Sequence, residues 1–239
     1  MHNLTTKAMK KHHLFLTICT FLTIIGCNNT DRPIIQIDHI ILAVNDLDSG
    51  IEQFEKLTGI KAEYGGGHPN SYTHNAIVAL DGMAYIEILA PKKELDTVPE
   101  FFKNLNQLKP IGFALSTNEI EFLEKTVQDA HFKTNGIEDW SRTKPNGDKL
   151  KWKLLQIQAP SIDINPFFID WSEESGHPSF QTNANCSLLE FKLTTPYKNE
   201  IETILTGNGA KIKILKMKDG DTVQLRLAIK TPKGKILFK

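Results

Sequence analysis

The stretch Ile37-Asp38-His39-Ile40-Ile41-Leu42-Ala43-Val44 is almost wholly apolar and rich in β-branched residues. Such a run predicts a buried strand. Asn45-Asp46 follow as helix-capping residues, and Leu47, Ile51, Phe54 and Leu57 then repeat at helical spacing. Glu52 and Glu55 fall elsewhere on that helix, and Gly59 supplies its stop. A strand over 60–64 comes next, then Gly65-Gly66-Gly67, a run that a strand interior tolerates poorly. Residues 75–80 and 83–90 flank Asp81-Gly82, a two-residue hairpin signal. The unit reads β-α-β-β-β.

Working outward, the same order returns. A strand over 111–116 leads to Thr117-Asn118-Glu119, which cap a helix carrying Ile120, Leu123 and Val127. Phe132 opens another strand, and further strands are expected over 149–158 and 166–171. A shorter version starts with a strand over 187–194. Thr195-Pro196 open a helix with Ile201, Ile204 and Leu205, and strands follow over 210–217, 222–230 and 235–238. The helix starts at Asn45, Asn118 and Thr195 lie 73 and 77 residues apart. A period set by one supersecondary unit argues for duplicated modules in an α+β fold. Three unrelated α+β segments are the competing reading.

The 239 residues hold 40% hydrophobic and 23% charged side chains, with 28 basic and 28 acidic groups and a formal charge of +0. These values exclude whole-chain disorder and a polytopic membrane protein, and they argue against a nucleic-acid binder. The charges are unevenly placed. Lys7, Lys10 and Lys11 precede an apolar run from Leu14 to Ile25, and that run ends Ile24-Ile25-Gly26-Cys27. Twelve residues are too few to span a bilayer and suit a signal-peptide core. The ending resembles a bacterial lipobox, which implies cleavage before Cys27 and its diacylglyceryl modification. A plain secretory peptide or an uncleaved anchor is the alternative. The expected organisation is a signal peptide over 1–26, a tether over 27–35, and a domain lipid-anchored to a membrane of the bacterial cell envelope.

Removing 26 residues from 239 leaves 213, carrying 25 basic and 28 acidic groups, hence −3. Cys19 leaves with the peptide and Cys27 becomes the anchor, so Cys186 stands alone as a packed thiol in a strand-like run. Residues 186–239 carry 11 basic and 5 acidic groups, a net +6 against −9 over 27–185. Lys211 and Lys213 alternate with Ile212 and Ile214 and line one strand face. A solvated, aggregation-resistant face explains them; contact with anionic lipid or an acidic neighbour is the sharper reading.

A strand-borne His39 near the start and Glu87 within Tyr85-Ile86-Glu87-Ile88-Leu89 resemble the vicinal oxygen chelate superfamily. The closer resemblance is to its glyoxalase-like domain family. It rests on Gly66-Gly67-His68-Pro69, on Ser141-Arg142-Thr143-Lys144-Pro145-Asn146-Gly147 with Trp152, and on Pro166–Trp171 followed by His177-Pro178. These motifs cover about 36–181; the module over 186–239 lies outside them. The resemblance implies two paired modules forming a cup with a divalent metal ion at its base. Such an ion polarises adjacent oxygens of a substrate and needs imidazole and carboxylate ligands on rigid strands.

By the resemblance, His39 and Glu87 match metal-ligand positions. The second-module position matching His39 is Gly112, which has no ligand, and Asp170 is the best match to Glu87. His68 or His177 could complete the sphere or touch substrate. A buried, hydrogen-bonded strand histidine is the plain alternative for His39. Arg142 is one of three arginines after residue 26, with Arg32 and Arg226. Its fork suits an anionic substrate group, and a loop salt bridge with Asp139 or Asp148 is the competing role. Trp152, Phe168 and Tyr85 are candidates for the cup lining, and His74 and His131 for the surface. No catalytic acid, base or nucleophile is assigned. Two functions stay open: a metal-dependent isomerase, lyase or dioxygenase acting on a small oxygen-rich molecule, and a non-catalytic small-molecule binder. A scaffold docking a partner through the basic module is a third. Homodimerisation is left open.

Overall fold

Burial starts with the run that opens the domain: in β1 (Gln36–Ala43) every residue after Gln36 is buried. α1 (Leu47–Thr58) is capped by Asp46, whose carboxylate accepts the Ser49 N–H at 2.8 Å, and Gly59 ends it at φ 78°. Its buried stripe runs through Leu47, Gly50, Phe54 and Thr58. Leu57, expected on that stripe, is 46% exposed. Gly50 marks the closest approach to the sheet, since a Cβ there would stand 2.6 Å from Val44 Cγ1. The computed structural model describes residues 35–69, 71–144, 146–158, 166–171, 176–180, 185–207 and 215–239. The expected signal peptide, the Cys27 anchor, the tether up to 34, and Lys211 and Lys213 lie outside these residues.

The first unit continues with β2 (Glu63–Gly67), β3 (Thr73–Ala79) and β4 (Tyr85–Pro91). Two local expectations change. β2 contains the three glycines instead of ending before them. The β3–β4 connection is wider than a two-residue turn and is closed by Leu80 N–H donating to Ala84 O. A single helical turn, α2 (Glu100–Lys103), buries Phe102 and precedes the second unit. That unit is β5 (Lys109–Ser116), α3 (Ile120–Asp129), β6 (Lys133–Thr143), β7 (Lys149–Gln158) and β8 (Phe167–Trp171). A 3-10 turn at Pro178–Phe180 follows. The last unit is β9 (Ser187–Thr195), α4 (Lys198–Gly207), β10 (Leu215–Asp219), β11 (Gln224–Thr231) and β12 (Gly234–Phe238).

The first eight strands form one sheet, ordered β2-β3-β4-β1-β5-β8-β7-β6. In each of the first two units the first strand pairs in parallel with the fourth, β1 with β4 and β5 with β8. The two units join where β1 meets β5 antiparallel. The last unit keeps the element order but pairs differently. Its sheet runs β10-β9-β11-β12, with β9 parallel to β10 and antiparallel to β11. These elements belong to one compact unit, Arg32–Lys239.

Strand alternation sends the two faces of the large sheet to different places. Ile40, Leu42, Ile86, Ile88, Phe113 and Leu115 join the main core. That core continues into the C-terminal sheet, where Phe113 meets Phe191 at 5.2 Å and Phe54 stacks on Phe238 at 5.9 Å. The other face curls into a half-barrel. It carries a second, smaller apolar cluster of Ala114, Leu150, Trp152, Leu154 and Ile169.

Candidate functional site

A cavity of about 210 Å³ lies within the curl. β1 sends His39 and Ile41 into it, and β4 sends Tyr85, Glu87 and Leu89. The parallel register places His39 beside Tyr85 and Ile41 beside Glu87. β3 adds Thr73 and Asn75, the β2–β3 connection adds His68, and β6, β7 and β8 add Arg142 and three tryptophans.

Glu87 is the centre of this arrangement and is only 6% exposed. One carboxylate oxygen, Oε2, stands 3.5 Å from His39 Nε2, and the other, Oε1, stands 3.5 Å from His68 Nε2. The Asn75 amide donates to Oε1 at 2.5 Å. Burial opposes ionisation of Glu87, but His39, His68, the Asn75 bond and Arg142 together hold it below the ordinary carboxylate range.

The partners of Glu87 are themselves held. His39 Nδ1 lies 2.7 Å from Asp38 Oδ1, and the imidazole stacks on Tyr85 at 4.7 Å. Asp38 is fully buried, where the β1–β5 pairing is irregular between Ile37 and His39. Its other oxygen accepts from Trp171 Nε1 at 2.7 Å and lies 3.0 Å from His177 Nε2. Burial works against the Asp38 charge, yet the bonds and charges of His177 and His39 bring it down to about 2. An ionised Asp38 only accepts, so the His39 Nδ1 carries the proton facing it. On the other side, Arg142 Nη1 donates to Asn75 Oδ1 at 2.9 Å and to Gly65 O. Arg142 has only donors, so the Asn75 oxygen faces it and the Asn75 NH₂ faces Glu87 and His68. That NH₂ stands 3.5 Å from His68 Nε2, whose Nδ1 lies 2.9 Å from Thr73 Oγ1. Burial pushes the His68 imidazole down; Glu87 opposes the fall, and Arg142, His39 and Lys92 add to it.

The glycine run now has a reason. A Cβ at Gly65 would stand 2.4 Å from Asn75 Oδ1 and 3.0 Å from Arg142 Nη1. Gly66 has φ 119°, and the β2–β3 register shifts between Tyr64 and Gly66. The strand passes so close to the Arg142–Asn75 contact that only hydrogen fits.

Of the residues singled out by sequence, the structure gathers His39, Glu87, His68, Arg142 and Trp152 around one cavity. Asp170 is not among them. It lies on the opposite face of β8 from Ile169 and Trp171, near Glu121 and Lys153, and accepts the Ile120 N–H at the start of α3. Burial raises its carboxyl above the usual range. The register explains the miss. Gly112 and His39 are each the fourth residue of their strands, so Ala114 corresponds to Ile41. Ile41 pairs with Glu87 and Ala114 pairs with Phe167, which makes Phe167 the counterpart of Glu87. His177 also lies outside the cavity, bonded to Asp38 and, at 2.8 Å, to Ser179. Arg142 makes neither expected loop salt bridge, because its guanidinium is buried against Asn75. Phe168 faces the main core instead of the cup.

Three residues in or behind the candidate site escaped the sequence reading: Asp38, Asn75 and Trp171. Asp38 and Asn75 are polar residues in apolar strands, a signal that such groups must find partners. Among the described residues, no three His, Cys, Asp or Glu side chains form a ready-made metal cluster. Within the cavity, His39 and His68 each bring Nε2 to 3.5 Å from the Glu87 carboxylate.

No curated protein matches the chain. The structure is similar to a hypothetical protein from Staphylococcus aureus at TM-score 0.57 and 20% identity, over 86% of this chain and 99% of that one. Methylmalonyl-CoA epimerase from Mycobacterium tuberculosis is similar at TM-score 0.44 and 17% identity, over 58% and 89%. A hypothetical protein from Bacillus halodurans C-125 is similar at TM-score 0.45 and 15% identity, over 60% and 99%. The profile of the glyoxalase-like domain matches residues 37–208, from the opening strand through α4 and past the expected limit at 181. That span holds both paired units and the whole cavity wall, and the chain belongs to the glyoxalase-like domain family.

Proposed function

We propose that the cup is the active site of an isomerase- or lyase-type enzyme for a small oxygen-rich molecule, assisted by a divalent cation. His39, His68 and Glu87 would hold that cation. The observation that carries this reading is the convergence of two imidazole Nε2 atoms on one ionised, buried carboxylate. An ionised carboxylate flanked by two imidazole nitrogens is a site for a cation, which would bind there in exchange for protons. Two imidazoles and a carboxylate are also a donor set that suits a divalent first-row ion and leaves positions for substrate. When bound, such an ion stabilises negative charge developing on substrate oxygens.

The chain's own groups do the positioning. Asp38 fixes the His39 tautomer, and Thr73 with Asn75 fixes that of His68. Arg142 holds the Asn75 amide in the orientation that serves both His68 and Glu87. The tryptophans and Phe167 close the far wall against water, which strengthens every charge interaction at Glu87.

The test is metal content and affinity. Stoichiometric metal in the wild type is expected by elemental analysis. In His39→Ala and Glu87→Gln, calorimetry should show affinity lower by at least about tenfold. Equal affinity in all three proteins, or none in the wild type, would falsify the assignment. One observation favours the alternative of a non-catalytic binder: the second unit places Gly112 and Phe167 where ligands would be expected. Metal-free protein that still takes up a small ligand would select that alternative.

The location belongs to the same proposal. A diacylglyceryl group on Cys27 would tether the domain to a membrane surface of the cell envelope. Cys27→Ser should then move the protein from the membrane fraction to the soluble one. A cleaved form that stays with membranes would sink the anchor.

A further inference from the structure

The chain has three tryptophans, and the fold puts all of them in one cross-strand row. Trp140 on β6 pairs with Trp152 on β7, which pairs with Trp171 on β8. Neighbouring ring centroids stand 6.3 and 5.2 Å apart, with planes tilted by 32° and 45°. Two of the indole N–H groups are already used, Trp140 toward Glu138 at 2.9 Å and Trp171 toward Asp38 at 2.7 Å. These bonds lock the outer rings and leave their faces as the available surface. The row belongs to the small apolar cluster inside the curl and not to the main core. All three line the cup.

We propose that the ligand of the cup is a small planar aromatic molecule, its ring seated on the Trp140–Trp152–Trp171 platform and its polar atoms gathered at one edge. The inference rests on the reading of the cup as a small-molecule site. Within the cavity His39, His68, Glu87 and Arg142 are joined through Asn75 into one polar group, while Leu154 and Ile169 cluster with the tryptophans. Phe167 borders both, its ring 5.6 Å from His39. A sugar carries hydroxyls around its whole rim and would leave several unpaired against the apolar wall. A flat ring with oxygens on one side meets both surfaces. The cavity, about 210 Å³, is smaller than the roughly 300–1,000 Å³ of drug-sized sites, and limits the ligand to a single substituted ring. Indole faces favour offset stacking with such a ring.

The test uses residues 28–239, which contain the whole of the compact unit Arg32–Lys239, after EDTA treatment. Phenol, cyclohexanol and glucose are titrated while tryptophan emission and calorimetric heat are followed. Phenol should bind saturably and at least about tenfold tighter than cyclohexanol, which is equally neutral and of similar bulk without a flat ring. Trp140→Leu should weaken phenol about five- to tenfold, and Trp140→Phe should retain most of the binding. Trp140 is half-buried on β6, an edge strand, and circular dichroism checks that both variants fold. Equal binding of the two alcohols, binding of glucose alone, no saturable phenol binding, or insensitivity to Trp140→Leu each overturns the proposal. Metal is absent from these measurements, so failure of the cation assignment leaves their outcome unchanged.

Discussion

Asp38 holds the rear of the site together, and its charge state sets a pH dependence. Its carboxyl falls from 3.8 to about 2 on folding. A depressed carboxyl stabilises the fold at pH above its unfolded value and loses that contribution as pH drops through the folded one. The stabilisation is therefore complete above about pH 4 and disappears toward pH 2, amounting to roughly 2 kcal/mol. Asp38→Asn should cost about 3 kcal/mol at neutral pH by urea unfolding, and the gap from wild type should narrow toward pH 2. A constant gap across that range would refute the role. Asn75→Asp tests the opposite side of Glu87. It sets a second carboxylate beside the first, and like charges disfavour ionisation. The loss of stability should be greatest near neutral pH and should shrink on mild acidification, which the same unfolding series measures.

At the scale of elements, glycines decide where strands and helices approach the site. Gly65 lets β2 pass the Arg142–Asn75 contact, and Gly65→Ala would push a methyl to 2.4 Å from Asn75 Oδ1. The expected cost is about 1–3 kcal/mol, with metal affinity falling in parallel because the Asn75 amide is displaced. Gly112 behaves differently. A Cβ there meets only Ile41 Cδ1, at 3.6 Å, an ordinary contact. Gly112→His should therefore be tolerated within about 1 kcal/mol and, by adding an imidazole to the second unit, raise metal affinity. Unchanged affinity in a folded Gly112→His protein would mean that position 112 does not reach the cation held by His39, His68 and Glu87. The two glycines look alike in sequence, and only their neighbours separate a strained position from an open one.

Across the whole molecule, the C-terminal sheet and the cup-forming sheet share one core, and Cys186 marks their seam. Its thiol donates to Ala79 O at 3.4 Å, and its carbonyl accepts the Asp81 N–H at 3.0 Å. Burial, with Asp81 adding, pushes the thiol up to about 12. Thiol reagents at pH 8 should leave it untouched in the folded protein and label it on unfolding. Rapid labelling without denaturant would mean that the seam opens. A chain ending at 181 would expose Phe54 and Phe113, which pack on Phe238 and Phe191, and should fail to fold alone.

Much of this was legible beforehand because it depends on local patterns. Apolar runs, the Asp46 and Gly59 caps and the repeated order of elements set the α+β units; His39 and Glu87 stood out as polar groups in apolar strands. The rest depends on pairing between distant segments. Which residue of the second unit faces Glu87's counterpart position depends on register, and a shift of a few residues separates Phe167 from Asp170. Asn75 matters only because Arg142, far along the chain, faces its oxygen. The tryptophans form a platform only because three strands align them. Sequence alone determined which segments become strands and helices, since spacing and capping act within a few residues. The tertiary structure decided which side chains share the cup, since register and sheet curl join groups that the chain keeps far apart.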